Sequence, residues 1–102
     1  MRPERVFAAL GDETRLRIVS RLGERGRLSI VTLTEGTRVT RQAISKHLRV
    51  LEDAGLVRSA RRGRENIFEL DVERLKEAQR FLERRSQQWD SALRRLKRFV
   101  ER

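Results

Sequence analysis

At 102 residues the chain has room for one domain with a modest core and little to spare, so pairing with a second copy would help it. It carries no cysteine and one histidine, which excludes a disulfide framework and thiolate metal sites; no metal and no cofactor are expected. The formal net charge of +10 points toward a polyanionic partner such as nucleic acid, but 22 Arg against 3 Lys is a bias that a GC-rich genome also produces, so the placement of charge is the better test. From Arg38 to Arg64 stand eight Arg or Lys and two acids, a surplus of six in about a quarter of the chain, against four from all other segments together. The opening MRPERVFAAL lacks the apolar run of a signal peptide, and no segment approaches the roughly 20 apolar residues of a membrane span. No membrane partner and a cytoplasmic location are therefore expected.

In chain order, Pro3 to Leu10 reads as a short helix with Pro near its start and Val6, Phe7 and Leu10 on one side, ended by Gly11. Asp12 then caps a second helix running to about Leu22, with Leu16, Ile18, Val19 and Leu22 as its buried side and Gly23 and Gly26 closing it. Arg27-Leu28-Ser29 is too short for more than a single extended link. Ile30 to Gly36 reads as a small helix turning Leu33 and either Ile30 or Val31 inward. Thr37, Arg38 and Val39 form a short turn in which Val39 plugs the space before the next helix.

That next helix, Thr40 to Leu56, states both of its ends: Thr40 is a good N-cap, and Gly55 stands where a left-handed residue is wanted. At about 100° per residue, Arg41, Glu52, Ser45, Arg49, Gln42, Asp53 and Lys46 share one arc, while Val50, Ala43, Ala54, His47, Leu51, Ile44 and Leu48 fill the rest. Apart from two acids at its far end, the polar arc consists of side chains that hydrogen-bond base edges and phosphates. A small helix, a short turn and a second helix presenting such an arc make a helix-turn-helix unit. His47, the lone histidine, falls among Ala43, Leu51 and Ala54 and reads as packed and hydrogen-bonded rather than as a pH sensor.

Leu56 to Ala60 and Glu65 to Leu70 are β-prone segments joined through Gly63, a two-stranded hairpin whose tip carries Arg61, Arg62 and Arg64. Directly after a recognition helix, such a tip reads as a wing that touches phosphate or enters the minor groove. Asp71 to Arg102 contains neither Gly nor Pro and reads as one long helix of roughly 45 Å. Leu75, Leu82, Trp89 and Leu96 recur every seven residues, with Ala78, Ala92 and Phe99 at the companion position and Arg85 as the mismatch. A solvated tail would leave Trp89, Leu93, Leu96, Phe99 and Val100 exposed, so part of this stripe is expected on the chain's own domain and part on a second subunit.

FAALGDETRLRIVSRL followed by TRQAISKHLRVLEDAGLVRSARRGRENIFEL resembles the ArsR family of winged helix-turn-helix repressors, and the match covers nearly the whole chain. The resemblance implies a mainly α fold of five helices with a two-stranded wing, in one domain over residues 1–102. The helix-turn-helix would occupy about 30–55, the wing about 56–70 and a dimerisation helix about 71–101. It implies a symmetric homodimer built from the first and last helices, which adds Val6, Phe7 and Leu10 to Leu82, Trp89, Leu93, Leu96 and Phe99 as dimerisation residues. It also implies a palindromic operator in double-stranded DNA, with base contacts from Arg41, Gln42, Ser45 and Lys46.

Thr40, Arg49, Arg61, Arg62 and Arg64 are the expected backbone contacts, while Glu52 and Asp53 would repel phosphate, so the helix should enter the groove N-terminus first. The sequence departs from metal-sensing members, with no Cys in SIVTLTEG and no His in the last helix. Arg38 also stands where many such turns place Gly, implying a mild backbone cost or an extra phosphate contact. An enzyme finds no support: there is no cysteine nucleophile, phosphate-binding glycine loop or local Ser, His and acid signature. A winged-helix RNA-binding or protein-interaction module is the alternative from another class. A repressor gated by an apolar effector, held by Trp89, Leu93 and the first helix, is a variant of the main reading, as is a repressor of its own gene.

Overall fold

The computed structural model describes residues 2–100; the expected end of the last helix near residue 101 lies outside them. Its elements are α1 (Pro3–Leu10), α2 (Glu13–Arg25), β1 (Leu28–Ser29), α3 (Ile30–Thr34), α4 (Arg41–Asp53), β2 (Val57–Arg62), β3 (Glu65–Leu70) and α5 (Val72–Val100). The caps do what their chemistry asks. Asp12 Oδ2 accepts the Arg15 backbone N–H at 3.0 Å, Ser29 Oγ accepts that of Thr32 at 3.2 Å, and Thr40 Oγ1 accepts that of Ala43 at 3.1 Å. The last carbonyls of the five-residue α3 are met by Arg21, whose guanidinium donates to Leu33 O at 2.8 Å and Thr32 O at 3.0 Å.

Several expectations are corrected. The second helix does not stop at Leu22: it runs over Gly23 to Arg25, and the left-handed Gly26 (φ 85°) closes it. Leu16 is 49% exposed, because it lies roughly 160° around the helix from Ile18 whereas Leu22 lies about 40° away. On α3, Ile30 packs inward and Val31 is exposed. Val6 is only 1% exposed within the single chain, so it is a core residue with no surface left for a partner. Arg38 carries no backbone cost: the turn's positive φ falls on Gly36, at 75°.

The link at residues 28–29 is a third strand. Strand order is β1-β3-β2, all antiparallel, with Leu28 opposite Phe68 and Ser29 opposite Ile67. The expected hairpin forms the other pair, Val57 opposite Leu70 through Arg62 opposite Glu65. Leu28 and Phe68 join Leu22, Leu33, Leu48 and Leu51 in the core, between the helices and the sheet.

Gly55 (φ 78°) redirects the chain from α4 into β2, and a Cβ there would meet the Arg74 guanidinium at 2.9 Å. Gly55→Ala is expected to lose about 1–2 kcal/mol of stability for its left-handed backbone, read by chemical denaturation; an unchanged midpoint would refute this.

α5 sets the outline. Its 29 residues span about 43 Å, and the radius of gyration is 18.0 Å where a compact chain of this size gives about 13 Å. Ala78 is its one buried residue, and Leu75 and Phe81 are half-buried. Phe81 meets Phe7 of α1 with centroids 5.8 Å apart, and the mismatched Arg85 lies over the Phe81 ring at 4.5 Å. Beyond that point the apolar stripe is bare on the single chain, with Trp89 69% and Phe99 74% exposed.

Candidate nucleic-acid interface

The recognition face is built by burying the other side of α4. Ile44, Leu48 and Leu51 are buried, which turns Arg41, Gln42, Ser45, Lys46 and Arg49 outward. Among the described residues none of these five side chains has a hydrogen-bond or ion-pair partner, so their donors and acceptors are available to a ligand. Thr40, by contrast, spends its hydroxyl oxygen on the helix cap. Glu52 and Asp53 are exposed at the opposite end of the arc.

In the wing, Arg62 stands opposite Glu65 and Arg61 opposite Asn66 in the strand register, and Gly63 (φ 60°) begins the tip. Because successive strand residues alternate, Arg61 and Arg62 point to opposite faces of the hairpin. Arg61 Nε donates to Gly63 O at 3.3 Å, whereas Arg62 and Arg64 have no partner among the described residues. At the wing's base Glu69 takes Arg27 at 3.0 Å and Arg58 at 3.5 Å, so these cations are partly offset.

A cavity between α2, α3 and the turn, beside the start of α4, is lined by Arg17, Arg21, Glu35, Thr37 and Arg38; Arg17 is paired with Glu13 and Arg21 with the α3 carbonyls, so Arg38 is the cation there without a partner among the described residues. Only the turn residues carried any sequence signal there, since nothing local ties the α2 arginines to a turn that follows a whole helix later.

His47 is half-buried behind the recognition arc, its Nδ1 3.2 Å from an Arg15 guanidinium nitrogen and 3.7 Å from Asp12 Oδ2. The backbone N–H of Arg15 holds the Asp12 carboxyl below its ordinary 3.8, with the Arg15 charge acting in the same direction against desolvation. A lowered carboxyl pKa means that this cap stabilises the fold above the unfolded value and is lost as pH falls through the lowered one. No group of three or more His, Cys, Asp or Glu suited to a metal ion occurs among the described residues, and no helix there is long and apolar enough to cross a membrane. Trp89 and Leu93 are exposed on the single chain, and α5 meets α1 nearer its start, where Phe81 packs on Phe7.

Comparison with known proteins places this geometry. A family model described as a helix-turn-helix domain matches residues 10–60, from the end of α1 into the wing. The uncharacterised HTH-type transcriptional regulator YuzN of Bacillus subtilis (strain 168) is 47% identical over 77 residues, covering 70% of this chain and 84% of that one. The arsenical resistance operon repressor of the same organism is 37% identical over 70 residues, covering 69% and 67%. Among solved structures, an ArsR-like transcriptional regulator from Rhodococcus sp. RHA1 superimposes with a TM-score of 0.82 at 41% identity, over 95% of this chain and 91% of the other.

Proposed function

Because this chain belongs to the ArsR family of winged helix-turn-helix transcriptional regulators, we propose that it acts as a homodimeric repressor of a palindromic operator, reading bases with the first two turns of α4 and gripping phosphate with its wing. The family makes it a DNA-binding regulator and not an enzyme. The observation that carries the finer reading is the outward, unpartnered set Arg41, Gln42, Ser45 and Lys46 on a helix whose opposite face is locked in the core.

The division of labour follows from side-chain chemistry. A guanidinium or an amide can pair two acceptors, or a donor and an acceptor, on one base edge, which suits Arg41 and Gln42 to readout; the Ser45 hydroxyl adapts to several bases. Lys46 extends the reading face and, as a single compact cation, also suits the phosphate beside it. Arg49, further along the arc, and the wing's Arg62 and Arg64 suit phosphates. Two such helices in a symmetric dimer would lie about 34 Å apart, one turn of B-DNA.

Selecting bound fragments from genomic DNA tests the reading: a two-fold symmetric consensus supports it, and no enrichment contradicts it. Against the selected site, Arg62→Ala is expected to weaken operator and random DNA alike, by severalfold, and to lower the salt slope by about 1. A change in preferred sequence instead would mean that the wing reads bases.

A further inference from the structure

We propose that Arg15 and His47 are a positioning pair that fixes the orientation of the recognition helix against the first helix, and so governs operator discrimination without touching DNA. The inference rests on the DNA-binding reading of α4. Arg15 spends its guanidinium on three partners: Nε donates to Ala9 O at 2.6 Å, one terminal nitrogen meets Ala8 O at 3.5 Å, and the other meets His47 Nδ1 at 3.2 Å. Ala8 and Ala9 lie in the last turn of α1; Ala8 O also accepts the Gly11 backbone N–H at 3.2 Å, while Ala9 O takes the short bond from Arg15 Nε. His47 sits in the middle of α4, next to Lys46 and on the opposite side from the arc facing outward. One side chain of α2 thus ties the end of α1 to the centre of the helix that carries the reading residues.

The apolar contacts of Ile44, Leu48 and Leu51 hold α4 against the core but are non-directional, and they tolerate small rotations and slides. A charge-assisted hydrogen bond at 3.2 Å is directional. Because Arg15 can only donate, the bond requires an unprotonated Nδ1, which places the imidazole proton on Nε2. Asp12 Oδ2 is further from the ring, at 3.7 Å, and accepts the Arg15 backbone N–H at 3.0 Å, which anchors the base of Arg15. α1 in turn packs on α5 through Phe7 and Phe81. Arg15 is therefore the polar joint between the α1–α5 scaffold and the reading helix, the place where the relative setting of two half-site readers is fixed.

The test uses His47→Leu, which keeps bulk but removes the acceptor, and His47→Asn, whose Oδ1 can stand where Nδ1 stood. Both are assayed on the selected operator, on operators with half-site spacing changed by one base pair, and on random duplex; circular dichroism and thermal unfolding confirm the fold. His47→Leu is expected to lose about tenfold in operator affinity and much of its spacing preference while binding random DNA within about twofold of the parent, and His47→Asn to recover most of the loss. Equal losses on all duplexes, or no advantage of Asn over Leu, would overturn the proposal. Nitrogen-15 NMR of the His47 ring supplies a reading independent of DNA: an unprotonated Nδ1 whose resonance moves in Arg15→Gln supports the pair. A protonated Nδ1, or one indifferent to that substitution, refutes it. A parent protein that shows the NMR signature but no operator preference would instead overturn the DNA-binding reading alone.

Discussion

A chain carrying Leu93→Asp together with Leu96→Asp is expected to sediment as a folded monomer and to bind operator at least about 100-fold more weakly than the parent. The reason lies in where these residues stand: both are more than half exposed on the distal half of α5, in a row with Leu82, Trp89 and Phe99. An apolar row of this kind on an 18.0 Å radius of gyration is surface that a second copy can cover, and two carboxylates in its middle make that burial prohibitive. The core of the domain is made elsewhere, from α1 to α4, the sheet and Ala78 near the start of α5, so stability of the monomer should persist. Binding suffers because two linked readers gain roughly 100-fold or more over one from effective concentration alone. A dimer that survives the double substitution, or a monomer with undiminished affinity, would contradict this account of α5.

The second large effect is expected at Gln42. Removing its amide deletes a donor and an acceptor from a side chain that holds no structural bond, so Gln42→Ala should leave stability within about 0.5 kcal/mol of the parent. It should lose about 1–3 kcal/mol of discrimination at one base pair per half-site, seen as a relaxed or shifted consensus when the selection is repeated. Random-duplex affinity should hardly move. This contrasts with Arg62→Ala, where a cation leaves the wing and all sequences suffer together. Equal effects of both substitutions on specific and random DNA would mean that α4 grips the backbone and that readout lies elsewhere.

Much of the fold was legible because its punctuation is local. Asp12, Thr40 and Gly55 announce helix ends through bonds to residues three or fewer positions away, and Gly63 announces a hairpin by the backbone angle it permits. The recognition arc was legible for the same reason, since a helix's face is a property of its own spacing. What stayed hidden depends on residues far apart in the chain. A strand of two residues has no alternation to display, so β1 became visible only when Phe68 was brought beside Leu28. The apolar side of α1 could face its own core or a partner with equal pattern, and burial assigns Val6 to the core. Gly23 looked like a stop, yet α2 continues through it because no left-handed residue is required until Gly26. The spacing of α4 sets the His47 ring on its inner side, but the partner there, Arg15, lies 32 residues earlier and carries no local signal.

Direct competition decides whether α4 reads the sequence of duplex DNA. Labelled operator duplex, bound at roughly 0.15 M salt, is challenged with unlabelled operator, with random duplex and with tRNA. Unlabelled operator is expected to displace the label at concentrations at least about 1,000-fold below those needed of random duplex or tRNA. Displacement by all three at similar concentrations would contradict it, and displacement by tRNA first would make the winged domain an RNA-binding module.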